Sequence, residues 1–272
     1  MELKLVTNTA RSAVLELTES GKFYTELQYD IYVNGEKYME SNKVITSLFD
    51  LKPDTDYNVY AVYNGQKTNE VNIHTKYEFV TLNVRDFGAL GDGVHDDTNA
   101  IQCAIMACPK DSRVLVPEGE YKVSSVFLKS DLTLELAKGA VLSAFTERDK
   151  FPILPGVIES YDEKEEYNLG SWEGNPLDCF SAILCGINAE NVVITGEGTI
   201  DGNTTFENWW NNCKIRNTAW RPRLFFINHC NNIMMHGITV QNSPSWTIHP
   251  YFSNHLKFID VKIKNPANSH NT

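Results

Sequence analysis

The last quarter of the sequence carries the side chains best suited to hold an anion. Residues 203–272 contain seven Lys and Arg residues against two acids, a net charge of +5, and five of the seven histidines. Because the whole chain carries −11, residues 1–202 carry −16. A positive region on a negative body concentrates an anionic ligand locally. The alternative, that solvated lysines on outer strand faces produce the imbalance, stays open at this point.

Carboxyl groups that could act as an acid and a base are harder to find. Asp201 lies in a Gly-Thr-Ile-Asp-Gly turn and Asp260 lies on an alternating apolar segment, and Asp is common at turns and strand ends. Three further acids, Asp92, Asp96 and Asp97, lack the alternate spacing and the distal glutamate of a calcium-binding loop. We therefore predict structural roles for all five acids, and we predict neither a metal ion nor a cofactor.

A repeat of about 23 residues organises the region that holds these side chains. Ile233 aligns with Leu256, and Val240 aligns with Ile263. Each unit consists of two short apolar and polar alternations separated by a turn, which is the pattern of strands. Earlier units lie at 131–142 and 191–202. Because three or more units are needed to bury a continuous core, we predict the rungs of a parallel β-helix.

The segment before these rungs has the features of a capped end. Asp96 or Asp97 can accept hydrogen bonds from the free amides at a helix start. Helical spacing relates Ile101, Ala104, Ile105 and Cys108. A short amphipathic helix here would cover the unpaired backbone and the apolar faces of the first rung.

The first 78 residues alternate over several short segments and contain the hairpin dipeptides Asn34–Gly35 and Asn64–Gly65. This spacing predicts a β-sandwich. The stretch Leu51–Tyr57 resembles the corner of fibronectin type III domains, in which a tyrosine hydroxyl bonds back to the chain. One departure is that no Trp precedes Trp172. We predict a fibronectin type III-like domain over residues 1–78.

Residues 83–272 resemble the polygalacturonase family of glycoside hydrolases, family 28 of the pectin-degrading β-helix superfamily. The motifs that carry the resemblance occur in the family's order and are Val84–Ile105, Ile194–Gly202, Trp209–Trp210, Arg221–Arg223, Asn242–His249 and Asn271–Thr272. The resemblance implies an all-β chain. The β-sandwich would be followed by a truncated right-handed parallel β-helix, with a short capping helix, over residues 79–272.

The same resemblance implies hydrolysis of α-1,4 links between galacturonic acid units of pectin, with inversion. Inversion needs two carboxyl groups roughly 6.5 to 9.5 Å apart. In this family the acids directly follow an Asn-Thr pair, and the sequence ends at Asn271–Thr272. We therefore expect the amino-terminal part of a pectinase that is inactive alone. The additional amino-terminal domain and the Trp- and His-rich segment favour cleavage from an end of the polysaccharide chain over cleavage within it.

A ligand with one carboxylate per sugar would need charged donors and an apolar surface. Arginine pairs with a carboxylate through two hydrogen bonds, and tryptophan offers a flat apolar face. The predicted substrate-binding residues are Arg221, Arg223, Asn242, Trp246, His249, His270 and Asn271. The competing interpretations are that the tryptophan is a core residue, that His249 bonds the backbone, and that the arginines form surface ion pairs.

Two other features of the sequence bear on the site. Residues 146–178 have no clear period and include the acidic run Asp162–Glu166; we interpret them as a long loop, a surface excursion rather than a functional loop. The six cysteines contain no CxxC pair, and four have apolar neighbours. Free thiols, mostly buried, are therefore expected.

The expected partner is a pectic polysaccharide or an oligogalacturonate. The negative net charge argues against nucleic acid, no apolar run reaches the roughly 18 residues of a membrane span, and the oligomeric state is open. Because no secretory signal is visible, a cytoplasmic location is expected, or secretion if a segment precedes Met1. Two alternatives remain: a non-catalytic carbohydrate-binding or adhesion protein, and a calcium-dependent lyase, which the Arg-Pro-Arg segment does not suggest.

Overall fold

A computed structural model describes residues 1–18, 22–158 and 168–268 of the chain. The chain divides into two compact units, residues 1–79 and residues 80–272. His270, Asn271 and the acidic run Asp162–Glu166 lie outside the described residues. All five tryptophans belong to the second unit, so tryptophan fluorescence reports on that unit alone.

The first unit consists of two antiparallel sheets with a common core. Its strands are β1 (Leu3–Asn8), β2 (Ala13–Leu17), β3 (Tyr24–Val33), β4 (Glu36–Lys43), β5 (Ile45–Leu48), β6 (Asp56–Tyr63), β7 (Gln66–Lys67) and β8 (Val71–His74). One sheet contains β1, β2 and β5, and the other contains the remaining strands. The backbone N–H of Lys52 donates to the Tyr57 hydroxyl at 2.8 Å. The relation to fibronectin type III domains stays a prediction.

The second unit winds through three sheets in which neighbouring strands are parallel. The first sheet contains β9 (Thr81–Asn83), β11 (Arg113–Val116), β14 (Leu132–Leu136), β19 (Glu190–Gly196), β22 (Asn231–His236) and β25 (Asn254–Ile259). The second contains β10 (Asp92–Asp96), β12 (Gly119–Val123), β15 (Ala140–Ala144), β20 (Thr199–Asp201), β23 (Thr239–Gln241) and β26 (Lys262–Lys264). The third contains β13 (Val126–Leu128), β18 (Leu184–Ile187), β21 (Phe225–Asn228) and β24 (Ile248–Tyr251). The predicted parallel β-helix is therefore confirmed.

The strand register follows the repeat found in the sequence. Ile233 pairs with Leu256, and Val240 pairs with Ile263. Inward-facing residues of successive coils stack in columns, and one such column contains Val114, Leu134, Ile194 and Met235, all fully buried. Each buried aliphatic side chain stabilises the fold by about 2 kcal/mol, so the columns hold the stack together.

One corner of the coil has the same left-handed backbone in four successive turns. Asp131, Asn191, Asn232 and His255 have φ angles of 56°, 58°, 56° and 53°. Asn191 donates its side-chain amide to Asp131 at 3.0 Å, and Asn232 donates to Asn191 at 2.8 Å. Asp and Asn tolerate this conformation better than other non-glycine residues. In the corner ladder, as we call these four residues, side-chain hydrogen bonds join the coils of Asp131, Asn191 and Asn232.

The capping helix α1 (Thr98–Ala107) buries Ile101, Ala104 and Ile105 against the first coil. The Asp96 carboxylate accepts from the N–H of Thr98 at 3.1 Å. Asp97 has a different role, because it accepts from the N–H groups of Leu90 and Gly91 at 2.7 and 3.0 Å. Asp96 therefore holds the helix start, whereas Asp97 fixes the preceding loop.

All six cysteines have free thiols, and four of them, Cys108, Cys179, Cys185 and Cys230, are buried. A short antiparallel pair, β16 (Ile153–Leu154) and β17 (Cys179–Phe180), lies in the long connection between β15 and β18. Among the described residues, no helix is long and apolar enough to cross a membrane.

The buried histidine of β22 makes stability depend on pH. Burial lowers the pKa of His236 to about 4, whereas a histidine in the unfolded chain titrates near 6.5. The unfolded chain therefore binds the proton more tightly, so this contribution to stability is full above pH 6.5 and is lost as the pH falls through 4. We expect the free energy of unfolding of the second unit to fall by about 2 kcal/mol between pH 8 and pH 5 from this residue.

Denaturant titrations followed by tryptophan fluorescence measure this effect. His236→Gln should reduce the pH dependence, whereas His255→Gln, at an exposed position, should leave it unchanged. An equal slope in the His236→Gln variant and the parent chain would contradict the assignment.

Candidate functional site

A cavity of about 510 Å³ opens on the side of the β-helix where the second sheet connects to the third. Three connections supply its wall: residues 145–183 between β15 and β18, residues 202–224 between β20 and β21, and residues 242–247 between β23 and β24. Because parallel coils stack in register, connections of the same kind lie above one another. The lining includes Trp172, Glu173, Trp210, Lys214, Trp220, Arg221, Arg223, Ser245 and Trp246.

Arg223 is almost completely buried, with 3% of its surface exposed. Its Nη2 donates to the Ser171 carbonyl oxygen at 2.8 Å, and its Nη1 donates to the Arg221 carbonyl oxygen and the Ser245 hydroxyl at 3.1 and 3.2 Å. Its Nε donates to Nδ1 of His249 at 3.2 Å. All four acceptors are uncharged, so the guanidinium is fixed in place without being neutralised.

Arg221 lies beside it and has fewer partners. Its Nη1 donates to the Pro244 carbonyl oxygen at 2.5 Å. Its buried Nε has no hydrogen-bond partner among the described residues. An unsatisfied buried donor costs free energy, so Arg221 is bonded less completely than Arg223.

Tryptophan rings surround both guanidinium groups. Arg223 lies 4.5 Å from the ring centre of Trp172 and 5.2 Å from that of Trp246. Arg221 lies 4.3 Å from the ring centre of Trp210. Trp172 in turn stacks on Trp220, with 4.6 Å between centroids and 11° between planes. Such contacts stabilise a cation without supplying a counter-charge.

The two arginines lack a counter-ion in the described part of the chain. No described carboxylate lies within 4.0 Å of either group, although Glu173 lines the cavity. Burial lowers the pKa of Arg221, and it lowers the pKa of Arg223 to about 10, so both stay charged at neutral pH. Because a buried unpaired charge is unfavourable, an incoming carboxylate would supply what the site lacks.

His249 supports Arg223 as a neutral ring. Its Nδ1 accepts from Arg223, which leaves the ring proton on Nε2. Burial and the charge of Arg223 lower the pKa of His249 to about 4. The ring lies edge-on to Trp246, with 4.8 Å between centroids. His249 therefore orients both the guanidinium and the indole.

The structure brings together four of the residues predicted from sequence and separates one. Arg221, Arg223 and Trp246 line the cavity, and His249 lies directly behind them. Asn242 does not line it, because its amide donates to Asp201 at 2.9 Å within a turn where φ is 50°. The alternative that the arginines form surface ion pairs is wrong, since both are buried. Their binding of substrate stays a prediction.

The long connection 145–183 is not only a surface excursion, which corrects the sequence-based interpretation. Trp172, Glu173, Asn175 and Leu177 from this segment line the cavity. Trp172 contacts both arginines, and Trp210 and Trp220 were also missed. The sequence signal for Trp172 was a large aromatic residue in an otherwise polar segment without a period, because such a ring has to pack against other side chains.

The model of glycosyl hydrolases family 28 matches residues 110–272. A probable polygalacturonase from Vitis vinifera is 31% identical over 196 residues, which is 69% of this chain and 37% of that protein. An exo-poly-alpha-D-galacturonosidase from Dickeya chrysanthemi is 36% identical over 165 residues, which is 56% of this chain and 25% of that protein.

A solved family 28 exopolygalacturonase from Yersinia enterocolitica has the same fold, with a TM-score of 0.65 and 20% identity. That match covers 96% of this chain and 59% of the other. The chain thus spans about a third and a quarter of the length of the two relatives described above. Because the family model covers more than half of the sequence, the chain belongs to glycosyl hydrolases family 28.

Proposed function

We propose that the cavity binds a galacturonate unit of pectic polysaccharide, and that the chain is part of an enzyme that hydrolyses α-1,4-galacturonosidic bonds with inversion. The observation that carries the proposal is the pair of buried guanidinium groups, Arg221 and Arg223, enclosed by tryptophans and without a counter-ion among the described residues. The names of the relatives from Vitis vinifera and Dickeya chrysanthemi support the substrate class.

The chemistry of a uronate matches each part of the site. Its carboxylate can accept charge-assisted hydrogen bonds from a guanidinium, which are roughly twice as strong as neutral ones. Its ring offers C–H groups that pack on an indole face, and Trp246 and Trp210 line the cavity. A neutral sugar would leave the two cations unpaired. The site therefore favours acidic over neutral sugars.

We further propose that residues 1–272 bind substrate without turning it over. Inversion needs two carboxyl groups, and among the described residues that line the cavity Glu173 is the only acid. Asp201 accepts from Gln241 and Asn242 at 2.6 and 2.9 Å, which fits the structural role predicted for it. Attack from a chain end is supported by the name of the Dickeya chrysanthemi relative.

Calorimetric titration of the purified chain tests the binding proposal. Trigalacturonate should bind, whereas the same trisaccharide with its carboxyl groups reduced to alcohols should bind about 30-fold more weakly, because a hydrogen bond to a charged group contributes about 2 kcal/mol. Equal affinity for the two ligands, or no binding of either, would contradict the proposal.

The second candidate is a non-catalytic carbohydrate-binding or adhesion protein, which the shortage of acids in the cavity favours. An assay of reducing ends with purified chain and polygalacturonate bears on both candidates. Sustained release of reducing ends by residues 1–272 would exclude the second candidate and would also contradict binding without turnover.

A further inference from the structure

One wall of the cavity carries a thiol that the proposed binding of a sugar does not use. Cys213 lines the cavity beside Lys214, and its thiol is free and half-buried. The two residues are the central pair of a turn, which the N–H of Ile215 closes by donating to the Asn212 carbonyl oxygen at 2.9 Å. The turn therefore presents a thiol and an ammonium group to the same opening.

The surroundings of this thiol are positively charged. Arg221 and Arg223 line the same cavity. Arg221 is only 7% exposed, and its Nε has no hydrogen-bond partner among the described residues. Burial lowers the pKa of Arg221, and the charge of a Cys213 thiolate opposes this shift, so the two groups attract each other when the thiol is ionised. Nearby cations stabilise a thiolate, which is the nucleophilic form of cysteine.

The other thiols lack this combination of access and charge. Cys179 is buried, and its Sγ donates to the carbonyl oxygens of Leu177 and Ser171 at 3.3 and 3.4 Å. Burial raises the pKa of Cys179 to about 11 and that of Cys185 to about 12, so both stay protonated and shielded. Cys103 is exposed on α1 but does not line the cavity.

We propose that Cys213 is a covalent modification site for small disulfides that carry carboxylate groups. The cations of the cavity attract a carboxylate of the reagent and bring its S–S bond to the thiolate. The Cys213 Sγ bonds to one sulfur of the reagent, the S–S bond of the reagent breaks, and the other sulfur leaves as a thiolate. The reagent is the oxidant, and the proton of Cys213 passes to solvent.

The modification has a consequence for the cavity that rests on the proposed function. The attached half of the reagent keeps its carboxylate and occupies part of a cavity of about 510 Å³. A galacturonate unit then competes with a covalently held anion for the same cations. The modified chain therefore loses its affinity for oligogalacturonate, and reduction of the mixed disulfide by a thiol restores it.

The reaction with dithiobis(nitrobenzoate), a disulfide with a carboxylate on each half, tests the inference because it releases a coloured thiolate. The parent chain should show a fast and a slow phase, with the fast phase at least about 10-fold faster. Cys213→Ser should remove the fast phase, whereas the matched control Cys103→Ser should remove the slow one. Cystamine, a disulfide with two ammonium groups, should react with Cys213 no faster than with Cys103, as measured by peptide mass spectrometry.

The outcomes separate this inference from the proposed function. A fast phase that persists in Cys213→Ser, or its absence from the parent chain, would overturn the modification site. Faster reaction of cystamine with Cys213 than with Cys103 would overturn the preference for anions. Calorimetry should show that labelling abolishes trigalacturonate binding by the parent chain but not by Cys213→Ser; unchanged binding by the labelled parent chain would overturn the effect on the cavity. If the unlabelled parent chain does not bind trigalacturonate, the proposed function fails, and the labelling rates still decide whether Cys213 is a modification site.

Discussion

Replacement of Arg223 by glutamine should weaken the binding of trigalacturonate by about 30-fold, because a charge-assisted pair with the ligand contributes about 2 kcal/mol. Arg223 is held in one orientation by Ser171, Ser245 and His249 before any ligand arrives. Little conformational entropy is therefore lost when it binds, and most of the interaction energy reaches the measured affinity.

The loss should depend on the charge and on the geometry of the guanidinium, four of whose five N–H groups already donate to the protein. Arg223→Lys keeps the charge but not the bonds that fix its position, and we expect an affinity about 10-fold below that of the parent chain. The trisaccharide with reduced carboxyl groups should bind Arg223→Gln and the parent chain alike.

The matched control for this variant is Lys257→Gln. Lys257 is exposed on β25 and does not line the cavity, so its loss should leave the affinity unchanged. Parent-like binding of trigalacturonate by Arg223→Gln, in a sample whose tryptophan fluorescence matches the parent chain, would remove Arg223 from the site.

The second large effect concerns the stacking of the coils. Gly196 has a φ of +113°, and a Cβ there would overlap the carbonyl oxygen of Leu136 and lie 2.8 Å from its carbonyl carbon. That oxygen also accepts from the N–H of Gly198 at 3.1 Å. Gly196→Ala must therefore force two coils apart. We expect the free energy of unfolding of the second unit to fall by about 4 kcal/mol.

Gly88→Ala separates this clash from the cost of the backbone conformation. Gly88 has a φ of +97°, but a Cβ there would meet nothing within 4 Å. Only the left-handed conformation is penalised, at about 1 kcal/mol. Denaturant unfolding of both variants, followed by tryptophan fluorescence, measures the difference. Equal destabilisation of the two would show that coil contact at Gly196 contributes nothing.

The coils themselves were predictable because their pattern is local and repeated. Ile233 and Leu256 are aligned in the sequence and paired in the structure, since each coil must place the same apolar positions inside. The helix at the first coil followed from spacing as well. The choice between Asp96 and Asp97 as its cap was not predictable, because both carboxylates are within reach of free amides and tertiary contacts decided between them.

Only part of the cavity could be inferred from sequence. Arg221, Arg223 and Trp246 belong to segments that resemble the family, and they lie together in the structure. Trp172 lies 49 residues before Arg221, in a segment without any period, and no local rule relates an aperiodic segment to its neighbours in space. The roles of Asn242 in a turn and of Trp220 beneath Trp172 depend on the same long-range contacts.

The corner ladder implies that length changes are tolerated on one side of the solenoid and not on the other. The connections that enter the ladder from the third sheet, residues 188–189, 229–230 and 252–253, are short in every coil. The connections from the second sheet to the third differ widely in length, from residues 124–125 to residues 145–183. Insertions and deletions can therefore lengthen or shorten the loops that line the cavity, while the corner ladder keeps the coils aligned. Protein engineers who wish to graft a new loop have the same freedom there, and nowhere near Asn191 or Asn232.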